Sequence, residues 1–213
     1  MNDETEELIR DLLTRFVHHP EALTIERSRN ADGGHHYKVR GHQEDNGIII
    51  GRGGSHFKAM QLLVTLFAEH DSYQVDSDSE YMPPRAWAEK QLADYDPEPV
   101  CELLGRILDR LPVGEYELAY ALPALPPGEK RMCVYSLKFD EADVGYGAKR
   151  SYDYMIGQRE SEYAKRHGPV TTLDTRSTTV VGSIGTLFRA IGEKDGVKFL
   201  IKILRPRTPA PTP

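Results

Sequence analysis

Gly51-Arg52-Gly53-Gly54 is the segment whose residue types and spacing point most clearly to chemistry. Glycine adopts backbone angles that other residues avoid, and it lets another chain come close to its own backbone. Apolar residues from Asn46 to Gly51 predict a short helix before the segment, and Ser55 to Glu69 predict a longer one after it. The free N–H groups and positive dipole end of that second helix then face the loop. Arg52 adds a permanent charge with several donors. Such a loop suits an anion, and a sugar-phosphate backbone in particular. Two other phosphate loops do not fit. Gly51 to Lys58 lacks the G-x-x-x-x-G-K-[ST] spacing of a nucleotide loop, and no G-x-G-x-x-G dinucleotide fingerprint occurs there. A plain structural turn between two helices is the remaining alternative.

The surrounding pattern says what must hold this loop. Leu8, Ile9, Leu12, Leu13, Phe16 and Val17 share one face of a helix predicted over 5–17, with Thr5 as its N-cap. Pro20 ends it. A strand from Leu23 to Arg29, a turn at Ala31-Asp32-Gly33-Gly34 and a strand from His36 to Gly41 read as a hairpin. The helix after the loop turns Phe57, Met60, Leu63, Val64 and Phe67 inward, and Tyr73 to Val75 closes as a strand. The order is helix, strand, strand, helix, loop, helix, strand.

Ile-Ile-Gly-Arg-Gly-Gly-Ser-His-Phe-Lys-Ala-Met, preceded by Glu-Asp-Asn-Gly, resembles the G-x-x-G segment of KH domains. The helix-first order resembles their type II, bacterial arrangement, and within it the small RNA-binding proteins of the KhpA group. The resemblance covers residues 4 to about 75. It implies that the loop clamps the backbone of about four single-stranded nucleotides. Gly51, Arg52, Gly53 and Gly54 would touch phosphates, and Ile48, Ile49 and Lys58 would flank the groove.

The chain then echoes itself. Glu102 to Leu111 matches Glu7 to Phe16 as an amphipathic helix, and Glu115–Leu122 and Arg131–Phe139 can be the two strands. Val180-Val181-Gly182-Ser183-Ile184-Gly185 matches Ile49 to Gly54, with a Phe and an Ala in step beyond it, and Val197–Leu204 closes as a strand. The match makes Gly182–Gly185 a second loop, although Ser183-Ile184 offers phosphate no charge. The expected organisation is α+β. A type II KH domain over 1–78 is followed by a linker over 79–99 and a diverged KH-like domain over 100–205. That second domain carries an insertion at about 146–178, and a proline-rich disordered tail spans 206–213.

Charge bounds the partner. The net charge of the 213 residues is -6, awkward where phosphate attraction supplies affinity. Residues 1–75 hold 8 basic and 12 acidic groups, while 142–213 hold 12 basic and 7 acidic. Any RNA contact must be local. Within the insertion Lys149, Arg150, Arg159, Lys165 and Arg166 alternate with Tyr146, Tyr152, Tyr154 and Tyr163. Cations beside aromatics suit backbone attraction and base stacking, and equally an amphipathic helix with charge outward. With Arg189, the lysines and arginines at 149, 150, 165 and 166 form a second candidate RNA-binding set.

Other chemistries find less support. The 8 histidines show no ligand spacing with acidic company and read as surface residues, so no metal and no cofactor is expected. His56, inside the loop helix, could touch a phosphate or base. Two cysteines without a Cys-x-x-Cys indicate a reduced, cytoplasmic protein. The acidic N-terminus is no signal peptide and no apolar run reaches a membrane span. There is no G-x-S-x-G elbow or other nucleophile motif. The expectation is a non-catalytic binder of single-stranded RNA, in post-transcriptional regulation or ribosome-linked work, with another RNA-binding protein or the ribosome as further partners. The alternative is a protein-interaction scaffold built on the same fold.

Overall fold

A computed structural model describes residues 4–68, 70–76, 95–111, 115–124, 131–139 and 180–204. Helix α1, Glu4–Thr14, starts with Glu4, Glu6 and Glu7 in its first turn, where negative charge meets the positive end of the helix dipole. Its apolar face buries Leu8, Ile9, Leu12 and Leu13. Each such side chain removed from water contributes about 1.5–3 kcal/mol.

Strands β1 (Thr24–Arg29) and β2 (His35–Arg40) pair antiparallel, with Ile25 opposite Val39. The Asn30 side chain builds the turn, accepting from the Gly34 N–H at 2.9 Å. Helices α2 (Asn46–Ile50) and α3 (Ser55–Phe67) cross over to β3 (Ser72–Val75), which pairs parallel to β2 with Tyr37 opposite Tyr73. Alternation along β2 sends Tyr37 and Val39 into the core. Buried Asp71 fixes the sheet's end, accepting from the His35 N–H at 2.7 Å and the Tyr37 hydroxyl at 3.2 Å.

The second half runs helix, strand, strand, helix, strand among the described residues, with no counterpart of α2 and its loop there. Helix α4 (Glu98–Asp109) precedes the antiparallel pair β4 (Tyr116–Ala121) and β5 (Met132–Phe139), and helix α5 (Val180–Asp195) leads into β6 (Lys198–Leu204). The sheet runs β4-β5-β6, antiparallel and then parallel, the same connectivity as β1-β2-β3. Cys133, Tyr135 and Leu137 on β5 point inward as Tyr37 and Val39 do on β2.

Like packs on like between the halves: α1 lies against α4, and α3 against α5. One core joins Leu12 and Leu63 of the first half to Leu104 and Phe188 of the second. Polar contacts edge it. Arg106 bonds Asp11, and Arg110 reaches Glu4 at 2.7 Å and the Thr5 hydroxyl at 2.8 Å. The Arg110 guanidinium stands over the Phe67 ring, 5.4 Å from its centroid. Lys194 of α5 donates to the carbonyls of Thr14 and Val17, at 3.1 and 2.8 Å, just where α1 ends.

One sequence expectation fails here. Gly182–Gly185 is helical, within the first two turns of α5, with Ser183 and Ile184 buried. None of these residues has a positive φ. The glycines recur at helical spacing, and Ile184 is a core side chain, so the match to Ile49–Gly54 aligns a loop with a helix. Most of the expected linker (79–94), the insertion at 146–178 and the tail lie outside the described residues, as do Lys149, Arg150, Lys165 and Arg166; α4 begins at Glu98, inside the stretch expected as linker over 79–99.

Candidate nucleic-acid interface

Helix α2 is little more than one turn long and stops at Gly51, whose N–H still donates to Gly47 at 2.9 Å. Gly51 has φ 73° and ψ 165°, a conformation favouring glycine. Gly53 (φ 62°) and Gly54 (φ 75°) follow with left-handed backbones, so three of the four loop residues need what glycine alone supplies freely. The Gly54 N–H closes the turn onto the Gly51 carbonyl at 3.0 Å. No side chain caps the start of α3; the Ser55 N–H is taken by the Arg52 carbonyl within the loop itself.

Arg52 and Gly53 are exposed. The Arg52 guanidinium has no hydrogen-bond or ion-pair partner among the described residues. Lys58, one turn into α3, bends back so that Nζ donates to the Gly53 carbonyl at 3.3 Å. Two cations therefore stand at the loop. Ile48 and Ile49 are buried, 4% and 0% exposed. They support the loop from beneath and line no open groove in this conformation.

His56 locks the arrangement. Its Nδ1 lies 2.6 Å from the Ile48 carbonyl, and a carbonyl only accepts, so Nδ1 carries the proton. Burial pushes the His56 pKa down, the Ile48 carbonyl and Glu193 oppose that shift, and Arg189 adds to it. The ring is therefore neutral at pH 7. Arg189 and Glu193 belong to α5, so the second half brings an exposed arginine close enough for the loop histidine to feel its charge. Spacing could not reveal this, because the charge of residue 189 reaches residue 56 only through the packing of α3 on α5.

Asp45 was missed as well. It is fully buried, and its two carboxylate oxygens accept from the His18 and His19 N–H groups at 2.8 Å each. The chain entering α2 is thereby tied to the chain leaving α1. An aspartate beside Glu44 in a polar run carries no such signal.

A family model for the KH domain of KhpA and KhpB matches residues 6–78. Residues 6–78 are a KhpA-type KH domain. No curated protein and no solved structure matches the chain. KH domains are RNA-binding modules that clamp the nucleic-acid backbone with their G-x-x-G loop. Gly51-Arg52-Gly53-Gly54 spells G-x-x-G within the matched residues. Among the described residues no helix is long and apolar enough to cross a membrane.

Proposed function

We propose that the protein binds single-stranded RNA, without catalysing its turnover, by gripping successive phosphates at Gly51-Arg52-Gly53-Gly54. The observation that carries this reading is the loop itself: three glycines with positive φ, an exposed Arg52 without a hydrogen-bond or ion-pair partner among the described residues, and a helix start behind them that no side chain caps. Lys58 supplies the second cation. Arg189 extends the basic edge from the other half of the molecule.

The second half is a diverged KH-like unit, as its repeated element order and strand pairing suggest. It grips no phosphate through Gly182–Gly185. Its role toward the RNA is to buttress α3 and to contribute Arg189. Lys149, Arg150, Lys165 and Arg166 make a second basic set that would lengthen the footprint. The setting is cytoplasmic post-transcriptional regulation or ribosome-linked work.

Salt dependence tests the reading. Each phosphate neutralised on a single strand changes log K by about -0.7 per decade of salt. Arg52 and Lys58 together predict a slope of about -1.4, and Arg189 brings it to about -2. A salt-independent affinity would favour the protein-interaction scaffold, which the acidity of residues 1–75 otherwise suits.

A further inference from the structure

Away from the RNA loop, folding brings His19, His42 and Glu44 together. Each offers a ligand atom, and these atoms all lie within 4.8 Å of one another. His19 follows α1, whereas His42 and Glu44 belong to the short 3-10 turn that leads into α2. The chain segments are held in place by buried Asp45, which binds the His18 and His19 N–H groups at 2.8 Å.

The His19 ring is oriented as a metal ligand. Nδ1 lies 3.3 Å from Glu21 Oε1, and Nε2 lies 3.4 Å from Glu44 Oε2. A carboxylate on the far nitrogen is the usual way a protein aims an imidazole at a metal. Metal–nitrogen and metal–oxygen bonds of about 2.0–2.2 Å place two tetrahedral ligands about 3.3–3.5 Å apart, and the Nε2–Oε2 separation already has that value. The His42 ring lies tilted beside His19, with centroids 4.1 Å apart. Its Nδ1 accepts only a long 3.3 Å bond from the Glu44 N–H, so either ring nitrogen is recruited with little loss.

We propose that His19, His42 and Glu44 form a zinc site, with water in the fourth position. Imidazole and carboxylate suit zinc, and three protein ligands leave one place open. A bound ion would staple the end of α1 to the entry of α2. The proposal stands independently of RNA binding, because the metal is measured on the protein alone.

The test uses the full chain, stripped with chelator and titrated with zinc chloride in a calorimeter, with circular dichroism confirming the fold of each variant. Saturable uptake of one zinc per chain is expected, with a rise in melting temperature. His19→Ala and His42→Ala should each weaken binding by about tenfold or more. Glu44→Gln, which keeps the side chain's shape, should weaken it too. His70→Ala, outside the cluster, should leave binding unchanged. Cobalt should give the intense visible absorption of a four-coordinate site in the intact protein, and the His19→Ala, His42→Ala double variant should lose it. Absence of saturable uptake, or a folded double variant that binds zinc as the intact protein does, overturns the proposal.

Discussion

A methyl group on Gly51 would lie 2.6 Å from Cγ of His56 and 2.7 Å from its backbone nitrogen. The histidine occupies the room that a side chain at the start of the loop would need. Gly51 also holds a φ of 73°, so sterics and backbone strain act in the same direction. Gly51→Ala should lower stability by about 3 kcal/mol. At Gly53 an added methyl meets nothing within 4 Å, and Gly53→Ala should cost about 1 kcal/mol, the left-handed penalty alone. Urea denaturation of the two variants measures both, and the order Gly51 above Gly53 is the prediction.

His56 makes the loop sensitive to acid. Its folded pKa lies below the unfolded value of 6.5, chiefly through burial. The unfolded chain therefore takes up the proton first, and stability is fully present above about pH 6.5 and declines as the pH falls toward the lower folded value. The Phe16 ring lies against this ring, centroids 5.6 Å apart, and the charges of Glu193 and Arg189 on α5 act on it in opposite directions. His56→Gln cannot titrate, so the loss of stability between pH 6.5 and 5 should be smaller in it than in the parent. Melting curves across that range, on both proteins, check the difference.

Lys194 should prove to be a joint between the halves. Its ammonium donates to the Thr14 and Val17 carbonyls, and such charged bonds are stronger than neutral ones. Lys194→Met keeps the apolar stem and removes the donor. A loss of about 1–2 kcal/mol is expected, with faster amide exchange at the end of α1. Unchanged exchange there would mean that the Lys194 bonds do not hold the end of α1.

Much of this architecture was legible beforehand because each element carries its own local signal. The alternation of Tyr37 and Val39, the helical spacing of Leu8 to Leu13, and the glycines at Gly33 and Gly51–Gly54 each mark a conformation. The expected strands agree with β1 to β6 to within a residue or two at each end. The same reasoning failed at Gly182–Gly185, because a glycine pair three residues apart fits a helix face as well as a loop, and only the burial of Ile184 decides between them. The approach of Arg189 to His56, the Asp45 anchor and the His19–His42–Glu44 cluster were beyond reach. Each joins residues far apart in the chain, and each depends on how helices pack and where the chain enters them.

The central claim is that Gly51–Gly54 is where RNA is held. Fluorescence anisotropy with a short labelled single-stranded RNA should compare the intact protein with an Arg52→Asp, Gly53→Asp double variant. Aspartate tolerates the left-handed angle at position 53, and space there is open, so the variant should keep its circular dichroism spectrum. The account predicts that the intact protein binds in low salt and that the folded variant loses at least about tenfold in affinity, the loss of one cation and the gain of two anions at the phosphate grip. Equal binding by a folded variant would contradict it and move the site away from this loop.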